Sequence, residues 1–102
     1  ELTGRALAQH ASRLFQMFSG EETAVKLRFD RSLINVLVDR FGKDILLIPD
    51  GDDHFVFTVN VAVSPMFLSW VIGFGSKAKV LYPQSVVEAC QAMCREALSQ
   101  YD

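Results

Sequence analysis

Residues 66–87 read Met-Phe-Leu-Ser-Trp-Val-Ile-Gly-Phe-Gly-Ser-Lys-Ala-Lys-Val-Leu-Tyr-Pro-Gln-Ser-Val-Val, and this one passage holds a helix end, a short strand and a helix start. Phe67, Trp70, Val71 and Phe74 recur at i, i+3, i+4 and i+7, which is one face of a helix, and Gly75 is free to take the left-handed cap conformation. Ala78 to Tyr82 then alternates, with Val80 and Tyr82 on one side and Lys79 and Leu81 on the other. Pro83 breaks the strand, and Ser85 to Glu88 offers a Ser-x-x-Glu capping box for a last helix with Val87, Cys90, Cys94, Ala97 and Tyr101 on one stripe.

Upstream, Ser64-Pro65 supplies an N-cap followed by proline at the first helical position. Before it, Phe55, Phe57, Val59, Val61 and Val63 face one way along a strand, with His54, Val56, Thr58, Asn60 and Ala62 facing the other. The turn Pro49-Asp50-Gly51-Asp52-Asp53 joins that strand to a short apolar one over Ile45 to Ile48, making a hairpin. Earlier still, Val25, Leu27 and Phe29 alternate with Lys26, Arg28 and Asp30, and Asp30 can cap a helix from about Ser32 to Phe41 that buries Ile34, Leu37, Val38 and Phe41 and stops at Gly42. The order is βαββαβ plus a C-terminal helix. It predicts an α+β fold, a ferredoxin-like sandwich with a four-stranded antiparallel sheet whose first and third strands are central and whose helices cover one face.

Residues 1–23 read as a separate unit, a linker helix and a linker, ahead of a domain over 24–102. Leu7, Ala11, Leu14, Phe15 and Phe18 form one apolar helical stripe, which needs a surface to dock on and is a candidate for self-association. Ser19-Gly20-Glu21-Glu22-Thr23 reads as the linker, and a start at Glu1 rather than Met suggests a piece of a longer protein.

Composition narrows the function classes. A chain of 102 residues that is half hydrophobic forms one compact domain, and a net charge of −2 argues against binding nucleic acid by overall charge. Two cysteines inside a helical pattern imply reduced thiols and a cytoplasmic home, and no apolar run approaches the roughly 20 residues needed to cross a bilayer. Any nucleic-acid role therefore requires a local patch. With the apolar strand sides under the helices, the open sheet face displays Lys26, Arg28, Val56, Thr58, Asn60, Lys79 and Leu81, a flat surface carrying three cations. Open sheet faces are ordinarily polar, so a solvated or dimer-covered face stands against a site for a small molecule or single-stranded nucleic acid. A base-stacking surface would need aromatics there, whereas Phe55 and Phe57 fall on the core side.

No catalytic or cofactor constellation emerges, and a non-enzyme without metal or cofactor is expected. Arg31 and Asn60 suggest an acylphosphatase-like pair, but Asp30-Arg31-Ser32 is too short to wrap an anion with backbone N–H groups. Asp50, Asp52 and Asp53 lack the ligand spread of a calcium loop and read as an exposed turn. Cys90 and Cys94 have no second pair to complete a metal site and read as thiols filling core volume, and His10 and His54 have no nucleophile beside them.

Val-Lys-Leu-Arg-Phe-Asp at the first strand, the Asp-Gly turn before the third, Leu-Ser-Trp-Val-Ile-Gly-Phe-Gly and then Lys-Val-Leu-Tyr-Pro together carry a resemblance. The chain resembles, over about residues 24–102, the C-terminal extension (WCX) domain of WYL-type bacterial transcription regulators. In such proteins a helix-turn-helix domain binds promoter DNA, a WYL domain senses a ligand, and the extension contributes to dimerisation and effector response. The resemblance thus implies cytoplasmic transcription control, a homodimer, and the WYL and helix-turn-helix domains of the same regulator as partners, with no membrane. Neither of those domains lies in this sequence, which argues against direct promoter binding by it. Some members respond to single-stranded nucleic acid, so Lys26, Arg28, Thr58, Asn60 and Lys79 are the candidate contacts for such an effector or for a small molecule.

Overall fold

A computed structural model describes residues 22–101. Strand β1 spans Glu22–Asp30, helix α1 Ile34–Phe41, β2 Ile48–Asp50, β3 His54–Ala62, α2 Pro65–Ile72, β4 Ala78–Tyr82 and α3 Gln84–Ser99, with single 3-10 turns at Arg31–Leu33 and Gly75–Lys77. The sheet order is β2-β3-β1-β4 with every neighbouring pair antiparallel, so β1 and β3 are central as the split βαβ order requires. The candidate self-association stripe at Leu7, Ala11, Leu14, Phe15 and Phe18 lies outside the described residues.

The core forms where the strand and helix periodicities meet. Val25, Leu27 and Phe29 are fully buried from β1, with Phe57 from β3, Leu37 from α1, Phe67, Leu68 and Val71 from α2, and Val86 and Ala89 from α3. Phe29 is the centre of an aromatic cluster, its ring centroid 5.3 Å from Phe57, 5.5 Å from Trp70 and 5.5 Å from Phe74. Trp70 also meets Phe41 and Phe74 edge-on, and the Arg40 guanidinium lies 5.1 Å above its ring. The helix carrying Trp70 is thereby anchored on the sheet. Its start is set by the Ser64 hydroxyl, which accepts a hydrogen bond from the Phe67 N–H at 3.1 Å, with Pro65 in the first turn. The helix ends at Ile72, short of Phe74, and Gly75 at φ +63° follows three residues beyond that last helical residue.

Four details depart from the sequence pattern. β1 starts at Glu22, so Glu22 and Thr23 pair with Ala62 and Val61 instead of belonging to a linker. β2 is Ile48–Asp50 rather than Ile45–Ile48, because Gly51 at φ +73° turns the chain so that Asp50 pairs with His54. Pro49 is tolerated there because β2 is an edge strand. Ile34 is exposed, since only Leu37 of α1 is fully buried and the first turn is the 3-10 segment. No side-chain capping box forms at Ser85, because α3 already starts at Gln84 with Pro83 as its cap residue.

The expected stripe on α3 is buried only in its first half. Val86, Ala89, Val87, Cys90 and Met93 pack on the body, whereas Cys94, Ala97 and Tyr101 are exposed. A 16-residue helix is about 24 Å long. The five-residue β4 beside it spans about 17 Å, so the helix outruns its support.

The largest correction is in β4. Lys26 pairs with Tyr82 but Leu27 pairs with Val80, so a bulge leaves Leu81 without an opposite residue. Tyr82, which strict alternation puts beside Val80, is instead opposite Lys26 on the open face and 65% exposed. Phe29→Ala should cost about 3–5 kcal/mol of unfolding free energy. Tyr82→Ala should cost less than about 1 kcal/mol, which urea titrations of the two variants compare directly.

Candidate functional site

Antiparallel pairing puts directly opposed residues on one side of the sheet, so the register builds the open face row by row. Val56, Arg28 and Lys79 make one row, flanked by Ile48 of β2, and Thr58, Lys26 and Tyr82 make the next. Asn60 stands opposite Ala24 in a third row. Lys26, Arg28, Thr58, Asn60 and Lys79 therefore share one surface, with Lys26, Thr58, Asn60 and Lys79 exposed and Arg28 half-buried. Phe55 and Phe57 lie on the core side, opposite Phe29 and Leu27.

The register also brings in groups that alternation alone does not single out. Tyr82 supplies an aromatic ring beside Lys26, and Ile48, 53% exposed, and the half-buried Val56 add apolar area at the β2 side. Acids rim the cations. The Arg28 guanidinium reaches across β3 to the Asp50 carboxylate at 3.9 Å, and Asp30 faces His54 at the end of β1. The pair is long and reached by water, its side chains being 36% and 51% exposed, so it contributes little to stability and leaves Arg28 available to a stronger acceptor. The face is thus a mixed surface with a cationic middle, apolar flanks and an acidic end.

Asp30 is held in place by its capping role. The Ser32 N–H donates to its carboxylate at 2.9 Å, and the hydrogen bonds from Ser32, with Lys77 and His54 nearby, hold its pKa below the usual carboxylate value. Arg31 has its side chain exposed in the first turn, and its backbone N–H donates to the Asp53 carbonyl at 2.8 Å. Asp50, Asp52 and Asp53 are exposed. Among the described residues no group of three or more His, Cys, Asp or Glu is placed to hold a metal ion.

A second concavity lies on the other side of β4. The end of α2, β4 and α3 enclose a groove of about 630 Å³. Both cysteines line it: Cys90 is half-buried and packs against the core, whereas Cys94 is exposed instead of filling core volume. Burial, with Cys94 adding to it, pushes the Cys90 thiol up to about 11, so it stays protonated at neutral pH. No helix among the described residues is long and apolar enough to cross a membrane.

A family model described as the WCX domain matches residues 21–98. No curated protein and no solved structure matches the chain.

The depressed pKa of Asp30 fixes the sign of one pH effect. Its contribution is present above the unfolded carboxylate pKa and is lost as pH falls through the lower folded value. Asp30→Ala should therefore be less stable than the parent at pH 7, with the difference shrinking to nothing in strong acid, as thermal unfolding across that range would show.

Proposed function

The chain belongs to the WCX domain family, the C-terminal extension of WYL-type transcription regulators, and from that premise we propose that it is a regulatory and dimerisation module that contributes to effector response rather than promoter binding. The open sheet face is the surface through which it associates. The observation that carries this reading is the exposure of Tyr82 and Ile48 on either flank of the Lys26, Arg28 and Thr58 centre. Protein interfaces combine such apolar and aromatic area with hydrogen-bonding and charged groups, and a purely solvated sheet face would not need the apolar part. The acids at Asp50 and Asp30 sit on the same face as the cations, so two copies can match opposite charges across a two-fold axis.

A second reading, binding of single-stranded nucleic acid, is favoured by one observation. The bulge places an aromatic ring beside Lys26, and stacking on such a ring next to cations is how unpaired bases are held without sequence preference. Arg28 and Lys79 would take the phosphates. The acidic rim and the single ring make this the weaker of the two.

Light scattering on the 102-residue chain, with and without a short single-stranded oligonucleotide, separates them. The first reading predicts a dimer that ignores the oligonucleotide and reverts to monomer with Tyr82→Asp. A dimer unchanged by Tyr82→Asp would remove the sheet face from the interface. Binding of the oligonucleotide, lost with Lys26→Ala and Arg28→Ala together while the circular dichroism spectrum holds, would favour the second.

A further inference from the structure

The groove between β4 and α3 combines a shape with a charge pattern that the sheet face lacks. Its apolar lining comes from three elements: Val71 and Ile72 at the end of α2, Ala78 and Val80 on β4, and Val87 on α3. Its charged lining residues are Arg95 on α3 and Lys79, which stands at the rim where the edge strand β4 separates the groove from the open face, and among the described residues no carboxylate joins them. About 630 Å³ lies within the range of small-molecule sites and is far more than a few waters need. β4 is the last strand of the sheet, so no further strand of the described residues closes the groove from outside.

We propose that this groove binds a free small amphipathic carboxylate, with its apolar body against the lining and its head group toward Lys79 and Arg95. Charge complementarity selects the head. Two cations with no acid between them repel a cationic amphiphile and give a neutral one nothing to neutralise, whereas a carboxylate gains charge-assisted hydrogen bonds from either side chain. The apolar walls select the body, because acetate has no surface to remove from water there. The low polarity of the site also appears at Cys90, where burial raises the thiol pKa to about 11. The proposal deepens the effector-response part of the function above and rests on it only for purpose, since binding is a property of the groove.

Decanoate is the probe. Calorimetric titration of the 102-residue chain should give one site per chain for decanoate, no heat for acetate, and binding of decyltrimethylammonium weaker by at least about tenfold. Lys79→Ala with Arg95→Ala should weaken decanoate by about tenfold or more with an unchanged circular dichroism spectrum. In the parent protein, decanoate should slow alkylation of Cys94, which lines the groove and is exposed. No binding of decanoate, equal affinity in the double variant, or binding to anionic phospholipid vesicles without binding to dispersed decanoate would each overturn the assignment. A dimer that ignores decanoate would sink this inference and leave the assembly reading intact. A monomer that binds it would do the reverse.

Discussion

The packing of Phe29 against Phe57, Trp70 and Phe74 is the constraint on which the rest of this structure depends. It ties the central strand to its neighbour and to the helix above, and edge-on aromatic contacts add orientation to what area burial alone would supply. Because Phe29 points into the core, the parity of β1 is fixed. Lys26 and Arg28 must then face outward, and pairing with β3 carries Thr58 and Asn60 to the same side. The proposed association surface is in this sense the reverse side of the aromatic core.

Much of this was legible in the sequence. The alternation of Val25, Leu27 and Phe29, the Ser64-Pro65 start, the Trp70 helix face and the left-handed glycine at Gly75 are local signals. Each is set by backbone chemistry within a few residues. What alternation could not reveal was the bulge at Leu81, because an extra residue in one strand is a relation between two strands and leaves no period of its own. That single insertion moves Tyr82 from the core side to the open face. The exposure of Cys94 and Tyr101 was hidden for a similar reason. The apolar period on α3 runs the length of the helix, but burial stops where the neighbouring strand stops.

The groove was invisible for a third reason. Its lining comes from three elements separated in sequence, and neither Arg95 nor Cys94 carries a motif that would mark it. Lys79 links the two surfaces: it stands opposite Arg28 on the open face and also lines the groove. The short edge strand β4 is therefore the element common to the proposed partner surface on one side and the proposed ligand groove on the other. A ligand influences assembly only to the extent that it binds the free and associated forms with different affinity, and a shared strand is where such a difference can arise.

The central claim, that the open sheet face is an association surface, is tested most directly by following backbone amide resonances through a dilution series of the 102-residue chain. The account predicts that signals of Lys26, Thr58 and Tyr82 move with concentration while those of the groove residues Val87 and Cys90 stay fixed. Concentration-dependent shifts confined elsewhere, or an open face silent over the whole series, would contradict it.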